Sequence, residues 1–115
     1  MKRGEVWTLQ DTSYASKARP VVIVQSDDLV AFDSVILCLF TTFESENIPT
    51  RVCVEPTDDN GLEKTSYVMT DKIVTVDRKL LGFRIGELNE ATMDSVSKQL
   101  AVVLEIPQNA DCASR

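Results

Sequence analysis

The chain has 115 residues, 43% of them hydrophobic, enough for one domain with one core and too little for two. Twelve Lys and Arg against eighteen Asp and Glu give a net charge of −6, which argues against non-specific DNA binding, since that depends on neutralising phosphates. Histidine is absent and the three cysteines (Cys38, Cys53, Cys112) have no close spacing, which excludes most His-based metal sites and triads, a disulfide framework and a zinc pattern.

The charge is uneven. Residues 1–19 carry Lys2, Arg3, Lys17 and Arg19 against Glu5 and Asp11, a balance of 4 − 2 = +2. Residues 44–63 carry Arg51 against Glu44, Glu46, Glu55, Asp58, Asp59 and Glu63, a balance of 1 − 6 = −5. A one-faced site would use such an asymmetry, and chance also produces it in a small domain. Lys2 and Arg3 are not followed by the apolar run of a signal peptide, and no run reaches membrane-spanning length. The expected location is a reducing cytoplasm.

In chain order, Gly4 to Gln10 alternates Val6 and Thr8 with Trp7 and Leu9 and reads as a first strand. Asp11 to Ala18 reads as a polar loop, whose Tyr14 either stacks on a base or covers the core edge. Arg19 to Gln25 is the second strand. Pro20 has no backbone donor and fixes its own φ, so it belongs at the strand start and biases Arg19 to an extended conformation. A guanidinium held at the mouth of a rigid apolar strand suits a phosphate; it also suits an ordinary surface arginine beside a core strand. Ser26 or Asp27 can cap a short helical turn over the following residues, a better role for Asp27 and Asp28 than metal binding.

Ser34 to Thr42 is the most apolar run and fits a central strand buried on both faces, with Thr41 at its end able to hydrogen-bond a ligand. Phe43 to Thr50 reads as a polar loop. Arg51 to Glu55 reads as a half-exposed strand stopped by Pro56, and Thr57 to Gly61 as a turn. Tyr67 to Val76 is a further strand interrupted by Thr70, Asp71 and Lys72, which mark a bulge, a pocket wall, a subunit interface or a solvated edge. Asp77 caps one helical turn to Leu81, and Phe83 to Leu88 is a short strand. Asn89 caps the long helix, Glu90 to Glu105, with Leu88 and Met93 spaced as a hydrophobic staple. Met93, Val96, Leu100, Val103 and Leu104 fall on one face as a core stripe. Residues 107–115 read as a polar tail carrying Cys112. The fold class is mainly β (α+β): about six strands in a small barrel or curled antiparallel sheet with a C-terminal helix.

Met1 to Trp7, the Arg19-Pro20 strand start, the apolar strand ending at Thr41, the run Met69 to Val76 and the C-terminal helix occur together in a recognisable order. Over residues 1–106 the chain resembles the MazF/PemK (Kid-like) family of toxin endoribonucleases. The resemblance implies an SH3-like barrel with a C-terminal helix and a homodimer. It implies cleavage of single-stranded RNA, usually messenger RNA, at short sequences without metal or other cofactor, and a cognate MazE-like antitoxin that blocks the RNA site. It matches Arg19 to the family's active-site arginine, Thr41 to its strand-end threonine and Asp71 to an acidic position that some members use in catalysis. The chain departs from many members in having Tyr14 to Ala18 where they carry Glu-Gln, and from some in having Met69 where they carry arginine.

Metal-free RNA cleavage requires the ribose 2′-OH to attack the adjacent phosphate. Arg19 can stabilise the phosphorane, and Thr41 can donate to a phosphate oxygen. Asp71 or Glu5 is the available type of base, with burial able to raise its pKa. Lys17 or Lys72 can steer phosphate, and Tyr14 and Phe43 can contact bases. Two alternatives share the fold: a non-enzymatic toxin that binds DNA gyrase, as CcdB does, and an inactive member that binds antitoxin alone.

Overall fold

The structure, a computed structural model, describes residues 1–10, 18–29 and 32–108. Six strands form one antiparallel sheet: β1 (Glu5–Leu9), β2 (Arg19–Ile23), β3 (Ser34–Thr41), β4 (Val52–Val54), β5 (Ser66–Asp77) and β6 (Leu81–Glu87), in the spatial order β4-β5-β3-β2-β1-β6. A 3-10 turn at Arg78–Leu80 separates β5 from β6, and a single helix, α1 (Glu90–Val103), follows.

β3 sits in the middle of the sheet and is apolar on both faces. Cys38 and Phe40 join a cluster with Val6, Val22, Val68 and Val96, while Val35 and Leu37 join Leu9, Val21 and Ile23 on the other side. Burial pushes the Cys38 thiol up to about 12, so it packs as a small hydrophobe. β4 and β6 are the two edges of the sheet. The curl brings them together through the turn after β4 rather than through a ladder. The Glu87 amide donates to the Asp59 carbonyl at 2.9 Å. Gly61, at φ +70°, and Gly86 let the two backbones touch: a Cβ on Gly61 would lie 2.1 Å from the Ile85 carbonyl oxygen, and one on Gly86 2.4 Å from that of Asp59. Asn60 holds the turn from inside, accepting from the amides of Thr57 and Leu62 and donating to the Glu55 carbonyl.

Asn89 caps α1 as expected, its side chain accepting from the Thr92 amide at 2.8 Å. Leu88 and Met93 meet in the core beneath it. The helix is shorter than the predicted Glu90 to Glu105. Leu104 is its C-cap and is exposed, so the apolar stripe ends earlier than periodicity suggests, and Ala101 takes the buried place near the C-terminus. β6 begins at Leu81, two residues before the predicted start, because the 3-10 turn feeds directly into it. The predicted helical turn after β2 is a hydrogen-bonded turn from Ser26 to Leu29, with no helix among the described residues there. No helix among the described residues is long and apolar enough to cross a membrane.

Candidate functional site

The site forms where β2 and β3 part. β1 pairs with β2 back to Leu9 opposite Arg19, but the β2–β3 ladder covers only Val21 to Ile23. Pro20, lacking an N–H, stands where that ladder stops. Continuing the register of Val21 with Leu39 by two residues brings Arg19 opposite Thr41. Strand alternation puts both on the same face. Arg19 is exposed and Thr41 half-buried.

A second irregularity borders this mouth. Between the pairs Cys38 with Ile73 and Phe40 with Val68, β3 advances by 40 − 38 = 2 residues and β5 by 73 − 68 = 5. The surplus falls in Met69 to Lys72, so the polar group interrupting the apolar strand is a wide bulge. Thr70 turns inward, fully buried, and donates to the Thr50 carbonyl at 2.5 Å. Asp71 and Lys72 are left exposed.

Asp71 does not stand alone. The Arg51 guanidinium grips its carboxylate in a two-pronged pair, Nε to Oδ1 and Nη2 to Oδ2, both 3.1 Å. The third prong, Nη1, donates to Ser45 Oγ at 3.2 Å. Ser45 is 1% exposed and donates in turn to the Phe43 carbonyl at 2.9 Å. The Phe43 amide donates to Thr41 Oγ1 at 3.1 Å, and the Phe43 ring is 76% exposed. A continuous chain of polar contacts therefore runs from the β5 bulge to the end of β3.

The electrostatics correct one expectation. The guanidinium hydrogen bonds from Arg51 outweigh burial and hold the Asp71 carboxyl below the usual range, rather than burial raising it toward neutrality. Glu5 behaves similarly. Burial works to raise it, but donors from the Lys2 amide, the Trp7 indole and Arg84 together lower it. Glu5 also lies at the opposite end of β1 from Leu9, the partner of Arg19, about 13 Å away along the strand.

Thr41, Phe43 and Asp71 are thus joined by one chain of contacts, Lys72 follows Asp71 on the bulge and Arg19 stands at the start of β2, while Tyr14 and Lys17 lie outside the described residues. Arg51 was not legible as a site residue in the sequence, where it reads as the exposed start of a strand. Its one signal was being the lone cation in residues 44–63. Among the described residues no three His, Cys, Asp or Glu side chains gather as metal ligands would.

The profile of a family described as the PemK-like, MazF-like toxin of type II toxin–antitoxin systems matches residues 2–104. A probable endoribonuclease MazF of Mycolicibacterium smegmatis is 38% identical over 107 residues, covering 92% of this chain and 98% of that protein. The endoribonuclease EndoA of Bacillus subtilis is 25% identical over 112 residues, 92% of this chain and 96% of its own. Among solved structures, a mycobacterial endoribonuclease in complex with its cognate antitoxin superposes with a TM-score of 0.81 at 33% identity, covering 95% of this chain and 99% of the other.

Proposed function

Because the chain belongs to the PemK-like, MazF-like toxin family of type II toxin–antitoxin systems, we propose that it is a toxin endoribonuclease that cuts single-stranded RNA, chiefly messenger RNA, in the cytoplasm. The observation that carries the reading is the parting of β2 from β3 at Pro20, which leaves Arg19 at the open start of β2 and Thr41 at the open end of β3. Cleavage proceeds without metal. The ribose 2′ oxygen forms a bond to the adjacent phosphorus as its proton passes to water, the bond from phosphorus to the 5′ oxygen breaks, that oxygen takes up a proton from water, and the products are a 2′,3′-cyclic phosphate and a 5′-OH end.

Arg19 neutralises the equatorial oxygens of the phosphorane, and Thr41 donates its hydroxyl proton to one of them. The Thr41 oxygen already accepts the Phe43 amide, which leaves its O–H to point elsewhere. Without histidine, with the Asp71 carboxyl held below the ordinary range and Glu5 remote from the gap, the rate rests on stabilising developing charge more than on a tuned base. Asp71 adjoins this site as a carboxylate anchored by Arg51. Phe43, exposed beside the gap, offers a stacking face to a base, with Tyr14 as a second, and Lys17 and Lys72 draw in phosphate. The protein acts as a homodimer, and a cognate MazE-like antitoxin blocks the RNA groove, as suggested by the antitoxin complex of the mycobacterial relative.

The test is incubation of purified protein with a long unstructured RNA in EDTA, with end mapping. Discrete cuts ending in 2′,3′-cyclic phosphate are expected, falling about 100- to 1,000-fold with Arg19→Ala. Intact RNA from folded protein, or cuts that need added metal, would overturn the reading.

A further inference from the structure

Beside the residues proposed to meet RNA stands Arg51, with its two-pronged grip on Asp71 and its third contact to Ser45. We propose that the Arg51–Asp71 pair is a positioning device that fixes the 42–50 loop, so that Thr41 and Phe43 stand in register with the Arg19 guanidinium, and that Asp71 acts on the reaction through Arg51 rather than as a proton acceptor. This rests on the nuclease reading above.

Three features of the geometry point this way. All three outward arms of one guanidinium are used, two on the bulge of β5 and one on the loop, so a single side chain spans the two. A planar fork can do this and a lysine cannot, because an ammonium is a point charge. The loop end of the span is buried: Ser45 passes the contact to the Phe43 carbonyl, and the Phe43 amide carries it to the Thr41 hydroxyl. The far end of the loop is tied to the same bulge, because Thr70 Oγ1 donates to the Thr50 carbonyl. The Thr50 end of the loop is therefore tied directly to the surplus residues of β5, and the Ser45 end reaches them through Arg51. Each Asp71 oxygen accepts one bond from Arg51, and the guanidinium lowers the carboxylate's basicity, which makes it a poor acceptor of a ribose proton.

The experiment compares wild type, Arg51→Ala, Asp71→Asn, the double variant and Arg51→Lys in two measurements. The first is RNA cleavage in EDTA beside Arg19→Ala. The second is hydrogen exchange of the amides between 42 and 50, which needs no RNA. Arg51→Ala and Asp71→Asn are each expected to lower kcat/KM about 10- to 100-fold, the size of a small misplacement of reacting groups. The double variant should fall no further than the worse single, since both remove one device. Arg51→Lys should not restore the rate. The pH–rate profile should keep its shape in Asp71→Asn, and loop exchange should accelerate equally in both single variants. If Asp71→Asn abolishes cleavage or changes the profile while Arg51→Ala stays within about threefold, Asp71 acts on the RNA itself and the positioning role is wrong. If exchange is unchanged in either single variant, the device does not hold the loop. Failure of the wild type to cut RNA would defeat the nuclease reading alone, because the exchange measurement still decides whether the pair fixes the loop.

Discussion

A carboxylate gripped by both prongs of a guanidinium stays ionised further into acid than a free one, and this gives the Arg51–Asp71 pair a thermodynamic signature independent of any activity. The folded-state carboxyl of Asp71 is depressed by Arg51 below its unfolded value of about 3.9. As pH falls, the unfolded state therefore takes up the proton first, and stability falls with it. The contribution is complete above the unfolded value and is lost as pH drops through the folded one. Asp71 is 35% exposed, so solvent screening holds the gain to about 1 kcal/mol or less. The difference in unfolding free energy between wild type and Asp71→Asn should be present at neutral pH and shrink in acid, read by urea titration at each pH. A difference that grew in acid would mean that Asp71 is not stabilised as an anion.

At the level of elements, the turn after β4 stands in for the sixth ladder that would close the barrel, and it depends on close backbone approach. Gly86→Ala would force its Cβ against the carbonyls of the 59–60 segment, which cannot swing aside. It should lower unfolding free energy by about 2 to 3 kcal/mol, measured from the urea midpoint. Gly82→Ala should cost less, because its nearest neighbour is the Thr8 hydroxyl at 2.6 Å, the end of a side chain that can rotate. The strands themselves, the Asp77 cap and the Asn89 cap were legible in the sequence because each is a local matter of alternation or of one side chain meeting a nearby amide. The Arg19 and Thr41 positions were legible because a proline and a strand end mark them. Arg51 was not, because its meaning depends on a carboxylate 20 residues later and on a bulge whose width only the β3–β5 register reveals. The end of the helix was misjudged for a related reason: Leu104 keeps the apolar period, but as the C-cap it is left exposed to solvent.

At the scale of the whole molecule, a net charge of −6 must be reconciled with a phosphate chain as substrate. Several arginines are already committed within the fold. Arg3 donates to the Val24 carbonyl and Ser97, Arg84 is paired with Glu5 and Glu87, and Arg51 with Asp71. Among the described residues the cations left for phosphates in the proposed site are Arg19 and Lys72, and the sequence adds Lys17, about three per protomer. For a single strand, each neutralised phosphate contributes about −0.7 to the slope of log affinity against log salt, so the expected slope is about −2. Raising salt from about 50 to 200 mM should then weaken binding of an uncuttable, 2′-O-methylated RNA only about 20-fold, measured by fluorescence anisotropy. So shallow a dependence would mean that affinity rests largely on stacking and base contacts, which is how an acidic protein can select short RNA sequences without holding RNA indiscriminately. A slope of about −4 would require twice the cations that one protomer supplies, and would assign part of the RNA track to a second copy of the chain.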